Sequence, residues 1–256
     1  MVLTFTVKLN NMKYIIFTIS LFFAFSAQSQ QAFLMKKQDV VTFTNDKSIQ
    51  FSAGSKFINL GNSADFVETD YTVSFWFKTS KTGFQNSLFR ESTFNFFHSN
   101  YVQATIFMSG GGSRNLRNFN LPNSDGNWHH VALTVSSTNP PSLYIDGVSI
   151  FTDPVQRDQN IPSQLFDLYI GNNYNLNRDF EGFIDEFSFF NIEFSPSDVS
   201  RIYNSGTPTD LSSESGLVTW LRMGDGDTYP TISDQVGNND GTMTNMTSND
   251  IVSDTP

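Results

Sequence analysis

Apolar and polar positions alternate through the middle of the chain. In Trp128–Ser136, the side chains of Val131, Leu133 and Val135 fall on one face of an extended strand, and the intervening residues fall on the other. The more apolar face is expected to point into a core. The same period of two runs through Gly182–Phe190, so this segment is also predicted to be a strand.

Further strand-like segments recur along the chain, separated by Gly, Asn, Pro and Ser. They are Ser48–Phe51, Phe57–Leu60, Tyr71–Thr79, Ser87–Arg90, Phe94–His98, Val102–Met108, Ser142–Asp146 and Asp167–Ile170. Asp146-Gly147 is expected to turn a hairpin, because glycine takes a positive φ without strain. Many short strands with such turns predict an all-β sandwich rather than a βαβ fold.

One helix interrupts this pattern, at Ser195–Asn204. Ser195 can cap its first turn, Pro196 fits the first helical position, and an apolar stripe follows one face. Gly206 is expected to terminate it. The sequence therefore predicts a β-sandwich with one short helix.

The N-terminus has the pattern of a secretory signal peptide. From Met12 to Gln30 a lysine is followed by an apolar run and small residues, with cleavage expected after Ala27 or Ser29. The run is too short for a permanent membrane span. Met12 is a second candidate for the true start, and a buried N-terminal strand is the alternative interpretation of this stretch.

Domain boundaries follow from these segments. Residues 1–29 are assigned to the signal peptide, 30–47 to a polar lead-in, and 48–210 to the sandwich. Residues 211–256 contain further strand-like segments. These either complete the same sandwich, which we favour because an isolated strand pair is barely stable, or begin a truncated second repeat.

Composition narrows the classes of partner. The formal net charge of -10 argues against a nucleic-acid partner, which needs clustered Lys and Arg. The chain has no Cys and three His, so neither a disulfide framework nor a zinc site is expected. The 27 Phe are expected to fill a sandwich core.

The ordered motifs resemble those of the laminin G-like and concanavalin A-like lectin/glucanase superfamily, most closely its bacterial and phage jelly-roll domains. The motifs are Trp128-His-His-Val-Ala132, Leu143-Tyr-Ile-Asp-Gly147, Ile170-Gly171, Gly182-Phe-Ile-Asp-Glu186 and Phe194–Tyr203, with Ser48–Phe51, Phe57–Gly61 and Tyr71–Phe77 before them. The resemblance implies a concanavalin A-like jelly roll over Ser48–Gly206. The segment Gly216–Gly226 resembles the opening strands of such a domain.

The same superfamily contains family 16 glycoside hydrolases, which carry Glu-x-Asp-x-x-Glu on one strand. Here the matching stretch is Glu181–Glu186, and Phe183 stands where the resemblance implies the helper aspartate. In an ordinary strand, Glu181 and Glu186 would also lie on opposite faces. The sequence therefore predicts a protein that is not an enzyme.

A structural calcium ion is a further candidate, with Asp185 as its carboxylate ligand. The double calcium site of pentraxin relatives is not carried over. The matching stretch, Gly171–Asn175, offers amides but no carboxylate before Asp179.

The best candidate for ligand recognition is the loop after Gly171. It combines one aromatic ring, which can stack on a sugar, with amides and charged groups that can fix hydroxyls. Its candidate residues are Asn172, Asn173, Tyr174, Asn175, Asn177, Arg178 and Asp179. A loop made only of turn-forming residues is the alternative interpretation.

These features favour a secreted, non-catalytic recognition module that binds a glycan or a surface protein. The alternative is a structural protein that assembles with its own copies, such as a virion decoration or tail-fibre subunit, since the tail resembles those of marine phage proteins. A family 16-type hydrolase is the third hypothesis, and Phe183 argues against it.

Overall fold

The computed structural model describes residues 2–7, 15–20, 43–91, 93–108, 111–119, 123–155 and 165–256. Its strands are β1 (Val2–Val7), β2 (Ile15–Ser20), β3 (Ser48–Phe51), β4 (Phe57–Asn59), β5 (Tyr71–Lys78), β6 (Gln85–Arg90), β7 (Phe94–His98), β8 (Val102–Phe107), β9 (Ser113–Arg117), β10 (Trp128–Val135), β11 (Ser142–Ile145), β12 (Val148–Thr152), β13 (Leu168–Ile170), β14 (Gly182–Phe190), β15 (Leu217–Leu221), β16 (Thr231–Ile232), β17 (Gly241–Thr244) and β18 (Ile251–Val252). The α-helix of the described residues is α1 (Pro196–Tyr203).

The chain divides into two compact units, Met1–Thr42 and Phe43–Pro256. In the first unit, β1 and β2 pair antiparallel, with Val2 opposite Ser20. Both strands fall within residues 1–29, the stretch predicted as a signal peptide, and the rest of that stretch lies outside the described residues. The signal peptide stays a prediction.

The second unit is a sandwich of two antiparallel sheets. Sheet I has the order β12-β11-β10-β5-β14-β3-β18, with β15 also paired to β14, and sheet II has the order β16-β17-β4-β13-β6-β7-β8-β9. This architecture confirms the predicted all-β jelly-roll sandwich of concanavalin A type with one short helix. "Outer face" denotes below the side of either sheet that points away from the shared core.

Phenylalanine fills the space between the sheets, as predicted. Phe75 and Phe77 of sheet I and Phe96 of sheet II are fully buried in one apolar cluster. The cluster also contains the three predicted inward positions of β10, Val131, Leu133 and Val135. Alternation in β10 therefore identified correctly which side of the strand meets the core.

Helix α1 lies within its predicted bounds, Ser195–Asn204, and differs from the prediction in the residue that terminates it. The Ser195 hydroxyl accepts from the backbone N–H of Asp198, whose side chain bonds back to Ser195. The helix ends at Asn204, which adopts the left-handed conformation with φ 47°. The prediction of Gly206 as terminator is wrong, because asparagine tolerates this conformation and reaches it first.

The helix covers part of the outer face of sheet I. Val199 and Ile202 are buried there against Ala132, Tyr144 and Phe190. The contact forms a second, smaller apolar cluster on that side of the sheet. Part of the outer face of sheet I is therefore covered by the chain itself.

The C-terminal strands pair with strands of the same two sheets. β15 lies beside β14, β17 beside β4, and β18 beside β3. The last residues of the chain thus sit next to its first sandwich strands.

Candidate functional site

The loop between β13 and β14, residues 171–180, contains the seven predicted ligand residues and is called here the asparagine loop. Asn172 is fully buried at its base. Its side-chain oxygen accepts from the backbone N–H of Asn173 at 2.9 Å and of Arg178 at 3.2 Å, and its amide donates to Asp179 Oδ1 at 2.7 Å. Asn172 therefore ties the two ends of the loop together.

The next amides are also used internally. Asn173 Nδ2 donates to Asn177 Oδ1 at 2.9 Å, and the Asn177 backbone N–H donates back to Asn173 Oδ1 at 3.2 Å. Asp179 Oδ2 accepts from the Gly54 backbone N–H at 3.1 Å, which ties the loop to the β3–β4 turn. The structure thus gives Asn172, Asn173, Asn177 and Asp179 internal partners.

The remaining predicted residues are Tyr174, Asn175 and Arg178, of which Arg178 is half-buried. Tyr174 is 50% exposed, and Asn175 is also exposed. The Tyr174 ring packs on Phe89 of β6, with 5.5 Å between ring centroids and 36° between planes. The Tyr174 ring is therefore partly exposed to solvent and packs against the ring of Phe89.

Loss of the Asn172 side chain should loosen this loop. We expect Asn172→Ala to cost about 1–3 kcal/mol, because it leaves two backbone N–H groups and one carboxylate oxygen without their partner. Hydrogen exchange should be faster within residues 171–180 than in wild type. Ser197→Ala, at an exposed site on α1, is the control, and equal exchange in the loop of wild type and variant would contradict the anchoring role.

A pocket of about 220 Å³ adjoins Tyr174 on the outer face of sheet II. Its lining residues are Phe89, Glu91, Leu165, Phe166, Asp167, Tyr169 and Tyr174. Asp167 Oδ2 accepts from Asn59 Nδ2 at 3.0 Å, and the Tyr169 hydroxyl lies 3.4 Å from the same oxygen. Burial, then the charge of Asp167, raises the pKa of Tyr169, so its phenol stays a protonated donor.

Sequence reasoning missed the floor of this pocket. Tyr169 stands between the core residues Leu168 and Ile170, so alternation alone places it on the outer face. It lies opposite Phe89 on the next strand. The sequence shows the alternation that turns Tyr169 outward. It does not show that β13 pairs with β6, which sets Tyr169 beside Phe89.

A larger pocket of about 450 Å³ lies on the outer face of sheet I. On this face Lys78 of β5 lies opposite Phe183 of β14 on one side and opposite Trp128 of β10 on the other. Asp254 accepts from Lys78 Nζ at 2.8 Å and from Trp128 Nε1 at 3.0 Å. Asp254 of the C-terminal tail already binds the polar groups of Lys78 and Trp128. The pocket beside Tyr174 is therefore the better candidate for a ligand site.

The strand that resembles the hydrolase motif departs from ordinary alternation. Glu186 has φ 50°, and the pairing of β14 with β5 shifts register between Asp185 and Ser188. Trp220 Nε1 donates to Glu186, which lies beneath α1 on the outer face of sheet I. The expected opposite-face placement of Glu186 is therefore wrong, because a bulge rotates the residue.

The bulge does not assemble a hydrolase site. Glu181 lines the larger pocket in an ion pair with Lys81, whereas Glu186 is only 3% exposed beneath the helix. Phe183 lies between them in the strand. The stretch therefore lacks the three accessible carboxylates that this glycosidase arrangement needs.

Asp185, the predicted calcium ligand, is fully buried. Its oxygens accept from Asn45 Nδ2 and from the Glu186 backbone N–H, each at 2.8 Å. Burial, then the Glu186 charge, raises the pKa of Asp185 well above its usual range. Both oxygens of Asp185 are engaged, and the described residues contain no group of three His, Asp or Glu suited to a metal, so calcium at Asp185 stays a prediction.

Two comparisons with known proteins bear on identity. The family model Laminin_G_3, described as concanavalin A-like lectin/glucanases superfamily, matches residues 52–200. No curated protein sequence matches the chain. Among the helices of the described residues, none has the length and apolar character needed to cross a membrane.

Solved structures share the fold. A protein of Bacteroides ovatus ATCC 8483, provisionally described as carbohydrate binding, has a TM-score of 0.61 and 19% identity. The match covers 80% of this chain and 60% of that one, so this chain spans less than two thirds of its length. At this identity the likeness shows the fold alone.

Weaker matches include the binding domain of botulinum neurotoxin serotype D and a heptameric SAP-like pentraxin of Limulus polyphemus. The first has a TM-score of 0.49 and 20% identity over 64% of this chain and 44% of that chain. The second has a TM-score of 0.48 and 14% identity over 69% of this chain and 93% of that chain. Neither score is high enough to bear on function.

Proposed function

The chain belongs to the Laminin_G_3 family of the concanavalin A-like lectin/glucanases superfamily, and from that premise we propose that it is a non-catalytic module that binds glycan. The pocket beside the asparagine loop is the proposed site. We further propose, from the signal-peptide pattern, that the module works outside the cytoplasm.

One observation carries the proposal: Tyr174 is half exposed, rests on Phe89, and borders a pocket containing two carboxylates. An aromatic face packs on the apolar side of a sugar ring, and carboxylates accept from its hydroxyls. Glu91 and Asp167 supply those acceptors. Tyr169 adds a hydroxyl on the pocket floor.

The internal hydrogen bonds of the loop give the site its rigidity. Because Asn172 and Asn173 hold the backbone on either side of Tyr174, the ring is oriented before a ligand arrives. A preorganised loop loses less conformational entropy on binding. We therefore assign the predicted loop residues two roles: Tyr174, Asn175 and Arg178 face the ligand, and the others hold the loop.

The proposal predicts that Tyr174→Ala weakens glycan binding about tenfold, because it removes the stacking surface. Binding to an array of neutral and acidic oligosaccharides, followed by calorimetry on the best ligand, measures the change. Tyr174→Phe should retain most affinity. Leu176→Ala is the matched control, since Leu176 is an exposed apolar residue of the same loop outside the pocket.

Two results would contradict the proposal, and a third would extend it. Absence of binding to every oligosaccharide on the array, together with defined oligomers in light scattering, would favour the alternative of a protein that assembles with its own copies. Release of reducing sugar from β-glucan would revive the hydrolase. Loss of glycan binding in EDTA, with recovery on adding Ca²⁺, would keep the glycan-binding function and show that it needs a metal ion.

A further inference from the structure

Two arginines on the outer face of sheet II lie over phenylalanine rings. The Arg178 guanidinium carbon is 5.6 Å from the centroid of the Phe97 ring and 5.8 Å from that of Phe84. The Arg117 guanidinium carbon is 4.6 Å from the centroid of Phe119. Such stacking fixes the plane of a guanidinium and leaves its N–H edges free to bind an anion.

Three of the described arginines form no ion pair, and of these Arg90 is fully buried whereas Arg117 and Arg178 lie on the outer face of sheet II. Arg114, Arg201 and Arg222 each form an ion pair with an Asp or Glu. Arg117 donates to the Gln103 side chain, and neither it nor Arg178 is ion-paired within the described residues. In a chain with 25 acidic and 15 basic residues, two unneutralised cations on one face mark an anion-binding surface.

The arginines and the Tyr174 pocket share one continuous face. Phe97, Gln103 and Arg117 lie opposite one another across β7, β8 and β9. Two strand spacings, about 10 Å, therefore separate Phe97 from Arg117. Phe89 of the pocket lies opposite Asn95, so it is a diagonal neighbour of Phe97 at about 7–8 Å.

Asn95 lies between the pocket and the arginines and has an unmet hydrogen-bonding need. Its neighbours Phe94 and Phe96 point into the core, so Asn95 faces outward. It is only 4% exposed, and its side-chain oxygen has no hydrogen-bond partner. A buried acceptor of this kind is stabilised by a donor such as a sugar hydroxyl.

We propose that this face binds an acidic polysaccharide, a proposal that rests on the glycan-binding function and names its ligand class. One sugar ring of the polysaccharide occupies the Tyr174 pocket, and one of its hydroxyls donates to Asn95. Carboxylate or sulfate groups on neighbouring sugar rings pair with Arg178 and Arg117. Nucleic acid fits less well, because the arginines already cover the Phe97 and Phe119 rings on which bases would stack.

Matched ligands test the charge requirement on the intact protein. Polygalacturonate is compared with its fully methyl-esterified form, which has the same backbone without the charge, and dextran sulfate is compared with dextran. The first pair reports on carboxylate and the second on sulfate. A single-stranded DNA oligonucleotide serves as a polyanion that lacks the sugar-chain structure.

We expect one charged member to bind at least tenfold more tightly than its neutral partner, with an affinity that falls as salt rises. Arg178→Gln and Arg117→Gln should each weaken that binding about tenfold. Arg201→Gln removes the same charge from an exposed ion pair on α1 and should leave binding unchanged. Thermal melting of each variant establishes that it is folded.

The outcomes separate this inference from the function on which it rests. Equal binding of charged and neutral partners that still depends on Tyr174 would overturn the acidic-ligand inference and leave glycan binding intact. Binding of none of the glycans would overturn both. Tighter binding of DNA than of any glycan would overturn the glycan assignment and make the face a nucleic-acid surface.

Discussion

Replacing Phe189 with alanine is expected to lower the free energy of unfolding by about 4 kcal/mol, the largest effect predicted for any single change considered. Phe189 is fully buried and belongs to the core cluster between the sheets. Its ring stacks on that of Tyr71, with 5.7 Å between centroids, and packs edge-to-face with that of Phe66, with 5.3 Å between centroids. Truncation removes these contacts and leaves a cavity that rigid strands cannot close.

Denaturant unfolding followed by tryptophan fluorescence would measure the loss. Phe189→Leu keeps much of the volume and should cost less, about 1–1.5 kcal/mol, so it provides a measurement if the alanine variant does not fold. Val148→Ala, at a residue that is 66% exposed, should change the stability little. A loss below about 2 kcal/mol for Phe189→Ala would mean that the aromatic cluster repacks around the site.

Strands that alternate strongly were predictable, because burial of one face leaves a period of two in the sequence. The predicted bounds of Ser48–Phe51, Phe94–His98 and Gly182–Phe190 equal those of β3, β7 and β14. Strand β9 was missed because it is mostly polar and only Leu116 of its five residues is buried. It lies at the edge of sheet II, where one buried side chain is sufficient.

The candidate site shows a different limit. Composition pointed to the asparagine loop, and the structure does bring its seven predicted residues together. Amides such as those of Asn172 and Asn173 serve equally well as ligands for a sugar and as anchors for a turn, so their identity alone does not separate the two roles. Only the hydrogen bonds of the folded loop do so, together with the pairing that sets Tyr169 beside Phe89.

The bulge at Glu186 could not be read from the sequence. Two consecutive polar residues, Asp185 and Glu186, interrupt the apolar alternation of Phe183–Phe190, but polar pairs also occur in regular strands, and a positive φ at glutamate has no sequence signature. The structure turns Glu186 beneath α1, where it meets Trp220 and Arg222. An irregular backbone thus placed an ionisable group in a buried site.

This buried carboxyl is expected to make the protein less stable at high pH. Burial raises the pKa of Glu186 to about 7 from its ordinary value of 4.5, although hydrogen bonding to Trp220 and the charge of Arg222 oppose the shift. The folded state therefore holds the proton more tightly than the unfolded chain. The contribution to stability is fully present below pH 4.5 and is lost as pH rises to about 7, a change of up to about 3 kcal/mol.

Glu186→Gln should remove the Glu186 part of this dependence, because a neutral amide needs no proton and still accepts from Trp220, whereas the part from buried Asp185 stays in both proteins. The variant is expected to match wild type near pH 4 and to exceed its unfolding free energy at pH 8 by up to about 3 kcal/mol. Arg222 keeps Asp225 as a partner at 3.0 Å, so removal of the charge does not leave it unpaired.

Denaturant unfolding at several pH values between 4 and 8 would measure the difference between the two curves. Glu68→Gln, at a half-buried glutamate outside this cluster, is the control and should run parallel to wild type. A wild-type stability that rises across this range relative to Glu186→Gln would mean that the pair with Arg222 outweighs the cost of burial. Glu186 would then stabilise the sheet as an ion-pair partner rather than as a buried acid.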